Sequence, residues 1–81
     1  MNIALAQINP TIGDFRGNTA RILDAVRRAA ERKAELVVLP ELGLCGYPPM
    51  DLLDQPSFVD ENLAALRALQ HACPPGVAVV V

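Results

Sequence analysis

Aromatic residues are scarce in this sequence, which has no tryptophan, one tyrosine and two phenylalanines among 81 residues. Because 52% of the chain is nevertheless hydrophobic, the apolar content is mostly alanine, leucine and valine, as in helix faces and buried strands. That content excludes a disordered tail, which would be poor in apolar residues and strongly charged. The length falls below one typical domain and excludes several. So much apolar sequence in so short a chain predicts an apolar surface that is covered by a partner or by the remainder of a domain.

An excess of positive charge is also missing. Seven basic and nine acidic residues give a net charge of −2, whereas nucleic-acid-binding proteins usually carry a basic patch or a high pI. No stretch reaches the roughly 18 apolar residues of a membrane helix. The first positive side chain is Arg16, so the start does not resemble a signal peptide. We therefore expect a cytoplasmic chain with neither nucleic acid nor membrane as a partner.

Cysteine is limited to Cys45 and Cys73, which lie 28 positions apart. This spacing fits neither a zinc site nor a thioredoxin-like motif. A disulfide between them is less expected than two reduced thiols in a cytosolic chain. The sequence thus predicts no metal site.

The apolar pattern predicts five elements. A short, nearly continuous apolar run from Ile3 to Ile8 predicts a strand buried on both faces. A stripe of helical period follows, with Asn18 as a candidate N-cap, over Ile22, Leu23, Val26, Ala29, Ala30 and Ala34.

The second half of the sequence predicts a strand, a helix and a further strand. Leu36 to Leu39 predicts a second strand, which Pro40 ends. The pair Ser57 and Asp60 resembles a capping box and predicts a helix that ends before Pro74. The apolar stripe of this helix comprises Val59, Leu63, Leu66 and either Leu69 or Gln70. Val77 to Val81 predicts a third strand.

The order β-α-β-α-β predicts an α/β fold with parallel strands joined by right-handed crossovers. Every predicted strand is apolar on both faces, so both faces of the sheet need cover. Two helices on the same side cover only one face. The sequence is therefore short of covering material.

Functional groups of parallel α/β sheets gather beyond the carboxyl ends of the strands. The loops over residues 9–17 and 41–56 lie there, and the second is long enough to suggest a function. Glu41 follows the second strand directly after Pro40, where its carboxylate could serve as a general acid or base. A solvated glutamate at the start of a loop is the alternative from position alone.

Two stretches resemble a known family. The stretch VVLPELGLCGYPPMDLL resembles the first catalytic motif of the nitrilase, or carbon–nitrogen hydrolase, superfamily, and IALAQINPTIGDFRGN resembles the amino-terminal strand and turn of that family. The pairing of QINPTIGD with GYPPMDLL is similar to the glutaminase domains of glutamine-dependent NAD synthetases. The resemblance spans essentially the whole chain.

The resemblance implies the amino-terminal portion of an α-β-β-α sandwich in which two sheets pack face to face. It also implies a Glu-Lys-Cys triad that hydrolyses the side-chain amide of glutamine, with Glu41 as the general base and Tyr47 lining the glutamine pocket. The glutaminase part needs no cofactor. A synthetase domain, which would use ATP and magnesium, would consume the ammonia to amidate deamido-NAD, and the family implies a homo-oligomer.

The lysine and the nucleophilic cysteine of that triad are expected on later strands, beyond residue 81. Lys33, the only lysine, is expected to be a surface charge on the first helix, and Cys45 a small packed residue. Asp51 and Asp54 could form a metal pair, but more plausibly fix their loop.

We therefore interpret residues 1–81 as part of a carbon–nitrogen hydrolase domain, with the rest of the domain and any synthetase domain absent and the piece inactive alone. Another amidase of the superfamily, acting on ω-amides or carbamoylated amines, is one alternative. A non-catalytic α/β binding module that dimerises through its sheet is another. The end at Val81, within an apolar run, favours truncation over such a module.

Overall fold

The computed structural model describes residues 1–41, 43–46, 52 and 54–81. Within these residues, three short strands and two long helices alternate, which confirms the α/β class and the β-α-β-α-β order. The elements are β1 (Ile3–Leu5), α1 (Phe15–Glu31), β2 (Leu36–Val38), α2 (Pro56–Ala72) and β3 (Ala78–Val80).

The three strands form one parallel sheet in the order β1-β2-β3. Ala4 pairs with Val37, and Val37 pairs with Val79. Because the strands are parallel, the loops after β1 and β2 leave the sheet at the same edge. This edge is where the sequence places the candidate site.

Both helices lie on one face of the sheet. Val37 is fully buried beneath them, with Ala4 and Val79 packed against the same core. On the opposite face, Ile3, Leu5 and Val80 are 57%, 78% and 52% exposed. The predicted shortage of cover is confirmed and falls entirely on this second face.

Helix α1 begins earlier than the sequence pattern predicts. Asp14 is the N-cap, and its carboxylate accepts a hydrogen bond of 3.0 Å from the amide of Gly17. A Cβ on residue 17 would lie 2.1 Å from that carboxylate, so glycine lets the cap close. The N-cap prediction for Asn18 is wrong: Asn18 lies inside the first turns and is fully buried.

Helix α1 ends before Lys33, which corrects the expectation that this lysine lies on the helix. Lys33 is exposed and has a φ of 63°. The amide of Lys33 donates to the carbonyl of Ala30, and the amide of Ala34 donates to that of Ala29. This is the hydrogen-bond pattern of a Schellman motif, with lysine in the left-handed position that glycine usually occupies.

Helix α2 differs from its prediction in both its cap and its buried face. Gln55 is the N-cap without a side-chain hydrogen bond, and Pro56 is the first helical residue, so the predicted capping box from Ser57 does not form. The second half of the predicted stripe is confirmed, because Leu69 is buried and Leu66 packs against the core. The first half is wrong: Val59 and Leu63 are exposed, and Phe58 and Ala65 are buried instead. The centroid of the Phe58 ring lies 5.2 Å from that of Phe15, which joins the start of α2 to the start of α1. Among the helices of the described residues, neither is long and apolar enough to span a membrane.

Candidate active site at the carboxyl edge of the sheet

Glu41 lies at the carboxyl edge of the sheet, as predicted. Two residues earlier, the amide of Leu39 donates to the carbonyl of Val80 at 3.0 Å, which extends the pairing of β2 with β3 up to Pro40. The side chain of Glu41 is exposed. A carboxylate held by the end of a paired strand and open to solvent can exchange protons with a substrate bound at this edge.

A cleft of about 440 Å³ opens beside this position. Its lining consists of Gln7, Ile8 and Asn9 after β1 and Pro40 after β2. The amides of Gln7 and Asn9 give the cleft hydrogen-bonding groups next to the residue that precedes Glu41. The sequence pattern did not single out either amide, because it placed Gln7 inside a strand running to Ile8, whereas β1 ends at Leu5.

A buried asparagine joins the two loops that leave this edge. Asn18 donates from Nδ2 to the carbonyls of Thr11 and Leu44, both at 2.8 Å. Its Oδ1 accepts from the amide of Thr11 at 2.8 Å and from Nη1 of Arg21 at 3.0 Å. An asparagine amide has two donor hydrogens and two acceptor lone pairs, and here all four are used.

The same two loops also meet through their backbones. The amide of Gly13 donates to the carbonyl of Cys45 at 2.8 Å. Gly46 has a φ of 89°, and a Cβ there would lie 2.6 Å from the backbone nitrogen and Cα of Ile12. Only glycine allows this approach, so the segment after Glu41 is packed directly on the turn after β1.

The two cysteines of the chain have the environment of packed thiols. Cys45 is 2% exposed and Cys73 is partly buried, and no disulfide joins them. Burial raises the pKa of the Cys45 thiol, partly opposed by a backbone hydrogen bond, and burial also raises the pKa of Cys73. Because the thiolate is the nucleophilic form, neither cysteine is poised for attack, in agreement with the expectation that Cys45 is a packed residue.

Among the described candidate residues, Lys33 does not lie near Glu41. Lys33 precedes β2 and therefore lies at the opposite end of that strand from Glu41. Tyr47 and Asp51 fall outside the described residues, and Asp54 is exposed. Within the described part of the chain, no group of three or more metal-binding side chains occurs.

The sequence is similar to those of known enzymes over almost its whole length. A glutamine-dependent NAD(+) synthetase from Synechocystis is 49% identical over 79 residues, covering 98% of this chain and 14% of the relative. The corresponding enzyme from Thermotoga maritima is 45% identical over 82 residues, with 100% and 14% covered. The chain thus spans about one seventh of the length of these relatives.

Solved structures agree with the sequence relatives. A glutamine-dependent NAD(+) synthetase from Cytophaga hutchinsonii superposes with a TM-score of 0.89 at 28% identity, over 95% of this chain and 13% of that one. An amidase from Nesterenkonia sp. superposes with a TM-score of 0.76 at 34% identity, over 98% and 30%. The sequence profile described as "Carbon-nitrogen hydrolase" matches residues 2–80. The chain therefore belongs to the carbon–nitrogen hydrolase family.

Proposed function

We propose that this chain forms the amino-terminal part of a glutamine amidohydrolase domain that supplies ammonia for ATP-dependent synthesis of NAD from deamido-NAD. The observation that carries the proposal is the position of Glu41, exposed at the carboxyl edge of a parallel sheet in a chain of this family. The synthetase relatives, at 49% and 45% identity over almost the whole chain, support glutamine as the substrate.

In this proposal Glu41 is the general base of a Glu-Lys-Cys triad. A cysteine thiolate from another part of the domain attacks the side-chain amide carbon of glutamine, a lysine stabilises the oxyanion, and ammonia leaves with a proton delivered by Glu41. Water activated by Glu41 then hydrolyses the thioester to glutamate. Tyr47 would line the glutamine pocket. The buried thiol of Cys45 and the partly buried thiol of Cys73 support a nucleophile elsewhere, because burial raises the pKa of both and disfavours their thiolates.

The synthetase part of the proposal lies outside this chain. ATP and magnesium would be used there, and the glutaminase part would need no cofactor. Because the two reactions share only ammonia, added ammonium ion should replace glutamine as the nitrogen source. This chemistry provides an internal control, since it tests the synthetase without the glutaminase site.

A second candidate is an amidase that works without a synthetase. The amidase from Nesterenkonia sp. supports it, because this relative is 34% identical and the chain covers 30% of its length. The synthetase structure from Cytophaga hutchinsonii superposes more closely, with a TM-score of 0.89 against 0.76. We therefore favour the synthetase-linked glutaminase.

A chimera tests the proposal. In it, this chain replaces the matched 79 residues of the Synechocystis enzyme, and NAD formation is measured with glutamine or with ammonium ion. We expect Glu41→Gln to lower the glutamine-dependent rate by about 100-fold or more, because a general base contributes about 10²–10⁴-fold. The ammonium-dependent rate should not change.

The matched control is Glu35→Gln, which neutralises an exposed glutamate at the opposite end of β2. It should leave both rates unchanged. A chimera that forms NAD from ammonium ion but not from glutamine would contradict the proposal. So would full glutamine-dependent activity in Glu41→Gln.

A further inference from the structure

We propose that Asn18 is a positioning residue for Glu41, and that it acts by holding the loop after β2 against the loop after β1. This inference rests on the proposed function, because it assigns a role within the same site. It concerns a side chain for which the sequence pattern predicted a helix cap, and which does not line the cleft described above.

Glu41 is flanked on both sides by residues whose backbones are hydrogen bonded. Before it, Leu39 is hydrogen bonded to Val80 at 3.0 Å. After it, the carbonyl of Leu44 is held by Nδ2 of Asn18 at 2.8 Å. Glu41 therefore lies within a span of a few residues whose two ends are fixed, one by the sheet and one by Asn18.

The side chain of Asn18 is shielded from water. The residue is 0% exposed and makes four hydrogen bonds, so no water competes for its amide. Removal of its donors would leave the carbonyls of Thr11 and Leu44 without these partners inside the protein, which is unfavourable. Both loops would then move to find other donors.

Helix α1, which carries Asn18, is itself packed against the core. Asn18 projects from α1, and the same helix buries Ile22 and Val26 completely against the core. Because the helix is held by packing, a side chain on it fixes the positions of the loops to which it is hydrogen bonded. A shift of about 1 Å in a catalytic group can lower the rate by about 100-fold.

The experiment uses the chimera with Asn18→Asp, which keeps Oδ1 but replaces both donor hydrogens by an acceptor oxygen. We expect the glutamine-dependent kcat to fall about 10- to 100-fold, with a smaller change in KM for glutamine and an unchanged ammonium-dependent rate. Such a split identifies loss of an interaction that matters in the transition state. Equal loss of both rates would overturn the proposal.

Two controls separate positioning from general stability. Arg21→Met removes the fourth hydrogen bond, to Oδ1, together with a 3.9 Å ion pair to Asp14, and keeps the bonds of Asn18 to Thr11 and Leu44. It should lower kcat less than Asn18→Asp does. Val26→Ala opens a cavity beside the same helix and removes none of the hydrogen bonds of Asn18. It should leave the glutamine-dependent kcat unchanged although the melting temperature falls. A kcat loss in Val26→Ala equal to that in Asn18→Asp would overturn the proposal.

If Asn18→Asp does not fold, Asn18→Ser replaces it, because serine keeps one donor and adds no charge. The same fall in glutamine-dependent kcat is expected, and unchanged kcat would overturn the inference. The two hypotheses fail in different ways. An unmodified chimera without glutamine-dependent activity contradicts the proposed function, whereas an active chimera that tolerates Asn18→Asp contradicts the role of Asn18 alone.

Discussion

Two glycines with nearly the same backbone conformation have opposite surroundings. Gly46 has a φ of 89° and Gly76 a φ of 81°. A Cβ at Gly46 would lie 2.6 Å from the backbone of Ile12, whereas a Cβ at Gly76 would meet nothing within 4 Å. The pair therefore separates the cost of a left-handed backbone from the cost of a steric clash.

We predict that Gly46→Ala is more destabilising than Gly76→Ala. Each substitution places a Cβ in the left-handed region, at about 1–2 kcal/mol. Gly46→Ala should cost about 1–3 kcal/mol more, because the neighbouring atoms are backbone and cannot move aside as a side chain could. Urea unfolding of the dilute chain, followed by far-UV circular dichroism, measures both. Equal losses would show that the two loops separate readily.

Residues at the candidate site differ in how far their positions can be predicted from neighbouring residues in the sequence. Glu41 could be predicted because it directly follows an apolar strand and a proline, which places it at the sheet edge whatever the rest of the chain does. The hydrogen bonds of Asn18 could not be predicted, because its partner Leu44 lies 26 positions further along the chain. An asparagine near a helix start is interpreted as a cap by default, and only the packing of two loops shows otherwise.

At the scale of the elements, helix centres followed the sequence more closely than helix ends. The stripe of α1 correctly marks Ile22, Val26 and Ala29 as buried. The end of α1 is hidden because Lys33, and no glycine, adopts the left-handed turn. The stripe of α2 is correct at Leu66 and Leu69 but wrong in its first turns, where Phe58 is buried against Phe15 and Val59 is exposed.

The start of α2 leaves room for stabilisation. Gln55 is its N-cap, with an extended backbone and no side-chain hydrogen bond. We predict that Gln55→Asp stabilises the chain by about 0.5–1.5 kcal/mol, because a short carboxylate can accept from the amides of the first turn and interacts favourably with the helix dipole. Urea unfolding of the chain measures the change.

Gln70→Asp is the matched control, because it makes the same substitution on an exposed position in the last turns of the same helix. A negative charge there opposes the dipole, so the chain should lose a few tenths of a kcal/mol up to about 1 kcal/mol. Stabilisation by both substitutions would show that charge at the helix ends does not decide the outcome.

For the whole molecule, the dominant feature is a sheet with one covered and one open face. The helices bury Val37 completely, while the apolar side chains of Ile3, Leu5 and Val80 on the other face are largely exposed. Monomeric proteins rarely expose contiguous apolar patches of large size. We expect the second sheet of an α-β-β-α sandwich to cover this face, which would explain the high apolar content of so short a sequence.

This expectation predicts that Leu5→Lys has opposite effects in the two settings. In the isolated chain, a charge on the open face should reduce self-association, which sedimentation velocity measures. In the chimera, the same lysine would be buried against the second sheet at a large desolvation cost, so soluble, active enzyme should be lost. Leu63→Lys, on the exposed side of α2, is the control and should change neither result. A fully active Leu5→Lys chimera would mean that this face stays open to solvent in the larger protein.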